Sequence, residues 1–298
     1  MLDKYDLTKT VVMSNDMLAS RYYTQPELEL TINQKKLLLL LISRIDENDT
    51  ELRSEAIAIS DYCELFGIGW KGGTNKRALR SSILSLGQKC FILPIKPGQE
   101  QLFRWIGDVK VNYNTGMMYI KLDDSLKPYY LGLKRNYTIF QLGYTANFTT
   151  KYSFTIYEYL KSKASMKKCY ISASEAKLQF AYNKYANFAD FKRFVLDPAI
   201  REINKKTDLD VRYELVKKGV AYQNVIFFVS RKTGERLAQV DNWKLQRANR
   251  KQELHEFMCM CALGEGIDEA VMQDEESVDE YSEIVVDTMG GASDESES

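Results

Sequence analysis

Apolar and polar residues alternate with two different periods along this chain, and the periods follow one another in an order that occurs twice. "LTINQKKLLLLLISRIDEND", residues 30–49, carries strong helix formers up to a polar stop at Asp46–Asp49, with Asn33 as the expected N-cap. "AIAI" reads as a short strand, and Ser60 is expected to cap a short helix that ends at Gly67. "TNKRALRSSILSLGQKCFIL" predicts a further amphipathic helix from Asn75, with Ala78, Leu79, Ile83 and Leu86 at core spacing. The period then drops to two in "FRWIGDVKVNYNTGMMYIKL", a hairpin turning at Asn114–Gly116.

The order of helix, strand, two helices and hairpin returns after residue 148. "FTTKYSFTIYEYLKSKA" predicts a long helix, "YISASEAKLQFAY" a short strand and a Ser-capped helix, and "FADFKRFVLDPAIREINKK" a third helix. "TDLDVRYELVKKGVAYQNVIFFVSR" closes the unit as two strands around Lys217–Gly219. Thr31 to Thr149 and Ile59 to Ile171 are offset by 118 and 112 positions, so the spacing is nearly kept. The fold class expected is α+β and helix-rich. It consists of two tandem winged helix-turn-helix domains, 1–140 and 141–251, joined by a connecting helix and loop near Tyr137–Phe148. A disordered acidic tail, 252–298, follows.

Charge sharpens this division. The 298 residues hold 41 Lys or Arg and 41 Asp or Glu, but no basic residue follows Lys251, and 15 of the acids do. Residues 1–251 therefore carry 41 bases against 26 acids, a formal charge of +15, concentrated after Phe148, where 22 bases face 10 acids. A basic domain with an uneven charge is suited to a polyanion. Hydrophobic residues make up 45% of the chain, enough for packed cores. Five cysteines in irregular spacing argue against a disulfide framework and for a reducing cytoplasm. The N-terminus lacks a signal-peptide pattern, and the longest apolar run, Leu37–Ile42, is too short to span a bilayer.

Several apparent motifs carry no chemistry. "GIGWKGGT", Gly67–Thr74, matches a phosphate-binding loop except that Gly73 stands where its lysine is required. His255, Cys259 and Cys261 lack the four well-spaced ligands of a zinc site. The single histidine cannot form the histidine pair of a metal-dependent DNA-nicking enzyme, so the 19 tyrosines do not imply a nuclease, and no serine or cysteine triad is evident. The chain is expected to have no enzymatic activity, cofactor or metal.

On the third helix of the second unit, Phe191, Val195, Ala199 and Ile203 recur every four residues as a buried stripe, with Asp190, Arg193, Asp197, Arg201 and Asn204 opposite. Two readings fit the polar face. Asp190 with Arg193 and Asp197 with Arg201 have the spacing of ion pairs on a solvated surface. The same face also suits a helix lying on nucleic acid, with Asp197-Pro198 as a kink or restart separating a basic leading segment from the rest.

With both units in view, the chain resembles the iteron-binding plasmid replication initiators, the Rep family of tandem winged-helix proteins, over roughly Val12–Arg231. The resemblance is carried by "LTINQKKLLLLLISRI", "YSFTIYEYL" and "DFKRFVLDPAIREINKKTDLDVRYELVKKG" in that order. It implies that the second winged helix reads repeated origin sequences in double-stranded DNA and that the first contacts backbone and forms an autorepressing homodimer. Monomers would open the origin and recruit host replication proteins such as a helicase or initiator. Carried to this chain, Arg193 would contact guanine, Asp190 would accept from cytosine or buttress Arg193, and Asn187 would sit at the leading edge. Lys192, Lys217 and Lys218 would hold phosphates, as would Lys76, Arg77 and Arg80 of the first unit. Phe194 departs from the family, whose members have a further basic residue at that place. A winged-helix transcriptional repressor and a protein-interaction scaffold are the rival readings.

Overall fold

The computed structural model describes residues 7–19, 28–68 and 73–241. The chain divides into two units, Met1–Ala248 and Asn249–Ser298, and the described residues all lie in the first. The acidic segment 252–298, with His255, Cys259 and Cys261, lies outside them, as does the middle of the glycine-rich stretch 67–74.

The first half opens with β1 (Thr10–Ser14) and a short helix, α1 (Asn15–Ala19). The central helix α2 (Ile32–Ile42) is capped by Thr31 rather than Asn33. The Thr31 hydroxyl accepts from the Gln34 N–H at 3.3 Å while the Gln34 side chain accepts from the Thr31 N–H at 3.0 Å, a reciprocal box that Asn33 lies inside. The helix ends at Ser43, short of the polar stop at Asp46. Every residue of Leu37–Ile42 is buried.

β2 (Ser54–Ala58) leads into α3 (Ile59–Phe66), whose N-cap is Ala58. Ser60 lies within the helix and donates to Asp61, so the expected serine cap is not made. Gly67 closes the helix at φ 63°, a left-handed conformation that glycine adopts without a Cβ clash. α4 (Gly73–Leu86) begins two residues ahead of Asn75 and buries Leu79, Ile83 and Leu86, leaving Ala78 exposed.

Two hairpins follow. β3 (Cys90–Lys96) pairs with β4 (Gln99–Arg104) around Gly98, where "KPGQ" supplies the turn. β5 (Ile106–Asn112) and β6 (Met117–Leu122) form the expected second hairpin, with β2 added to β6 in the order β2-β6-β5. After α5 (Lys127–Tyr130), β7 (Tyr137–Gln141) pairs antiparallel with β1, and α6 (Leu142–Ala146) follows. The join, expected as a connecting helix and loop, thus begins as a strand paired to β1 and continues as the short helix α6. The alternation in "YTIFQ" carries that strand, with Thr138 and Phe140 buried and Tyr137 and Ile139 exposed.

The second half contains α7 (Lys151–Ser162), β8 (Lys168–Ser172), α8 (Ala173–Ala181), α9 (Phe188–Phe191), α10 (Asp197–Lys206), β9 (Leu209–Lys218) and β10 (Ala221–Arg231). Residues 234–241 are again helical. α8 starts from Ser172, which forms a capping box with Glu175. The sheet order β8-β10-β9 places β10 centrally. Phe154, Phe180, Phe191 and Phe227, one each from α7, α8, α9 and β10, are buried at 1% exposure or less and form the centre of the core.

α2 and α7 join the two halves. The Lys35 ammonium meets the Glu158 carboxylate at 2.9 Å with the side chains 10% and 1% exposed, and Lys151 pairs with Glu29 nearby. A desolvated ion pair of this kind fixes relative placement more than it adds net stability.

A second buried carboxylate ties α10 to the start of α7. Glu202 accepts from the Thr149 N–H and hydroxyl, both at 2.9 Å, from Lys206 at 2.6 Å and from the Ser153 hydroxyl. Burial pushes its carboxyl up, but the bonds from Lys206 and Ser153, the Lys206 charge and the Thr149 N–H outweigh burial and hold it below the ordinary glutamate value. A depressed folded value means that the contribution to stability is present above the unfolded value and is lost as pH falls through the folded one. Glu202→Gln is therefore expected to lower stability by about 2 kcal/mol at neutral pH. Urea denaturation across pH should show the gap between wild type and variant closing as the medium is acidified below the glutamate range.

Candidate nucleic-acid interface

The third helix of the second half is helical at every residue from Phe188 to Lys206, so it does not restart at Asp197-Pro198. α9 passes through a π-helical turn, Lys192–Leu196, into α10, and the Asp197 N–H reaches back five residues to the Lys192 carbonyl. Asp197 is itself helical, at φ −61° and ψ −48°, so it does not act as an N-cap. In α-helical register, Pro198 would leave the carbonyl four residues earlier without a donor and press its ring against it. A turn of wider register placed just before the proline relieves both.

The inward stripe is as the periodicity requires: Phe191, Val195, Ala199 and Ile203 are each 0% exposed, and Leu196 joins them. The outward face differs from a lattice of ion pairs. Asp197 takes Lys192 at 2.7 Å and the Tyr213 hydroxyl of β9. Burial raises its carboxyl, but these bonds and the Lys192 and Arg201 charges outweigh burial and lower it. Asp190 is held by Asn187. Asn204 turns away from the polar face, accepting from the Val211 N–H and donating to the Val211 carbonyl, each at 2.7 Å. Neither Arg193 nor Arg201 takes part in an ion pair among the described residues, and both are exposed. The Arg193 guanidinium lies 5.0 Å from the Phe194 ring centroid.

Asn187, expected at the leading edge, is the N-cap of α9. Its side-chain oxygen accepts from the Asp190 N–H at 2.7 Å and its amide donates to the Asp190 carboxylate, so the two residues form one closed unit at the head of the helix. The loop before them is pinned by Lys177, which donates to the Ala186 carbonyl at 2.7 Å.

The β9–β10 hairpin is joined to that head. Tyr222 of β10 stacks on Phe188 with centroids 4.7 Å apart and planes at 30°, and the Lys217 ammonium lies 4.6 Å from the Tyr222 centroid. Lys218 is exposed beside Gly219, which turns the hairpin at φ 62°, and Val220 at the tip is 97% exposed. Helix head and wing thus present Lys217 and Lys218 next to the leading turn. In the first half, Arg77 and Arg80 are exposed on α4, and the Arg80 guanidinium lies 5.0 Å from the ring of Tyr113 in the β5–β6 turn. The side chain of Lys76 lies outside the described residues.

The aromatic supports of this face are not among the residues expected from the sequence. Tyr185 stacks on Phe194 at 5.9 Å and 18°, and Tyr185 and Tyr152 bring their hydroxyls to 3.3 Å. Tyr182, Tyr185, Phe188, Phe191 and Phe194 recur every third position, a spacing visible in the sequence that marks this stretch as unusually rich in rings. Among the described residues no cluster of His, Cys, Asp and Glu could hold a metal ion, and no helix is long and apolar enough to cross a membrane.

Comparison with known proteins finds two consecutive family models along the chain. Residues 10–161 match the family model described as Initiator Replication protein, WH1, and residues 175–229 match Initiator Rep protein, WH2. A replication initiation protein of Escherichia coli is 24% identical over 229 residues, covering 74% of this chain and 69% of the relative. An uncharacterized 27.6 kDa protein of Escherichia coli is 21% identical over 224 residues, covering 70% and 90%. The crystal structure of Pi initiator protein in complex with iteron DNA superposes with a TM-score of 0.61 at 21% identity, covering 76% of this chain and 99% of that one.

Removing the cap at the head of the helix should be measurable on its own. Asn187→Ala is expected to cost about 1 kcal/mol of stability, whereas Asn187→Ser, which keeps a capping oxygen, should cost little. Equilibrium unfolding of the two variants against wild type checks this.

Proposed function

From the fact that this chain belongs to the initiator replication protein family, with its tandem winged-helix domains, we propose that it is a plasmid replication initiator that binds repeated double-stranded sequences, iterons, at its origin. The observation that carries this reading is the state of Arg193. On the outward face of the third helix the carboxylates are engaged elsewhere, Asp190 by Asn187 and Asp197 by Lys192 and Tyr213, and this leaves an exposed guanidinium on the leading half of the helix. A planar guanidinium so placed suits bidentate contact with the O6 and N7 of guanine in the major groove.

The other roles follow from position. Lys217 and Lys218 on the wing are placed for phosphates, and Lys192 can reach one by exchanging its bond to Asp197. Asp190 and Asn187 set the register of the helix head, with Asp190 available to accept from cytosine once the groove is entered. The 1–140 domain is assigned the supporting role, with Lys76, Arg77 and Arg80 on backbone and a homodimer formed for autorepression. The 141–251 domain reads sequence. Opening of the origin draws on contact energy and needs no catalytic step, and host replication proteins such as a helicase or initiator complete the assembly in the cytoplasm. The Escherichia coli relative named for replication initiation and the likeness to an initiator solved on iteron DNA support this reading.

The test is selection of bound sequences from a random duplex library, then titration of the selected site. Arg193→Ala should lose about 1–3 kcal/mol at one base position and relax the preference there. Lys218→Ala should weaken all sequences alike and reduce the slope of log affinity against log salt by about one. Binding without sequence preference, or insensitive to salt, would favour a protein-interaction scaffold instead.

A further inference from the structure

Phe194 is out of place on the surface just described. It is 46% exposed in the middle of the polar face, whereas Phe191, one turn earlier, is fully buried. A phenyl ring offers no donor or acceptor, so it can neither hold a phosphate nor read the hydrogen-bond pattern of a base edge. Its position is nonetheless fixed. Tyr185 stacks on it at 18°, Tyr185 is in turn engaged with Tyr152, and the Arg193 guanidinium lies 5.0 Å from its centroid. The π-helical turn accounts for its direction. With more residues per turn than an α-helix, Lys192–Leu196 turns less per residue, and the consecutive positions 193 and 194 both face outward while Val195 and Leu196 both face the core.

The major groove offers an apolar ring one distinctive partner, the C5-methyl group of thymine. We infer that Phe194 is a specificity-determining residue that contacts a pyrimidine C5-methyl group beside the base pair read by Arg193, so that thymine is preferred there. The inference rests on the reading of this helix as the one in the groove. A ring stacked on Tyr185 is preorganised for edge contact with a methyl group, whereas insertion between base pairs would break the stack.

The experiment uses the full chain and the duplex selected above. Each thymine of the site is replaced singly by deoxyuridine, which removes the methyl group and nothing else, and binding is measured with wild type and Phe194→Ala. At one position near the guanine assigned to Arg193, wild type should lose about fourfold in affinity, the worth of burying one methyl-sized group. Phe194→Ala should be indifferent to the same replacement. At that position a 5-methylcytosine pair should be bound more tightly by wild type than an unmethylated cytosine pair, again not by the variant. The inference is overturned if deoxyuridine is silent at every thymine in wild type, or if its effect persists in Phe194→Ala. Failure of the underlying reading looks different: no motif is selected, or Arg193→Ala leaves the motif intact.

Discussion

A proline has no N–H to return to the preceding turn, and that constraint at Pro198 organises the outward surface of the third helix. The helix that carries it is not interrupted. It takes up one turn of wider register at Lys192–Leu196 and continues through Lys206. A restart at Asp197 would have produced two short helices with independent directions. The continuous helix keeps Phe191, Val195, Ala199 and Ile203 in one buried row and turns Arg193 and Phe194 outward together. The same local solution that satisfies the backbone therefore presents a cation and an aromatic ring side by side.

Such a surface is useful only if the helix is held still, and the polar bonds beneath it do this. Glu202 binds the helix to the first turn of α7, Asp197 binds it to β9 through Tyr213, and Asn204 binds its far end to the Val211 backbone. Phe188 joins its head to the wing through Tyr222. The carboxylates that would neutralise the outward cations are used in these links or in the Asn187 cap. Anchoring the helix and exposing Arg193 are thus two results of one distribution of acids.

Much of this was legible in the sequence. The switch between helical and strand periods, repeated after residue 148, gave two winged-helix units, and the four-residue stripe on the third helix gave its buried side. What escaped was local and depended on partners distant in the chain. β7 looked like linker because its partner, β1, lies more than 120 residues earlier. Thr31 rather than Asn33 caps α2 because Gln34 completes the box, and Ala58 rather than Ser60 precedes α3 because the sheet continues to Ala58. On the polar face, spacing alone paired Asp190 with Arg193 and Asp197 with Arg201. The structure shows Asn187, Lys192 and Tyr213 taking those acids instead, two from within the helix region and one from a strand that no helical wheel includes. The aromatic supports were visible as a three-residue spacing, but their roles depend on Tyr152 and Tyr222, which lie far away in sequence.

The helix from Phe188 to Lys206 is proposed to enter the major groove of duplex DNA with Arg193 on a guanine edge. Methylation interference on the selected duplex tests it most directly, because methylating guanine N7 alters the major groove alone. N7 methylation at a guanine within the site is expected to block binding of the wild-type chain, and Arg193→Ala is expected no longer to sense the modification there. Binding that is indifferent to N7 methylation at every guanine of the site would contradict it.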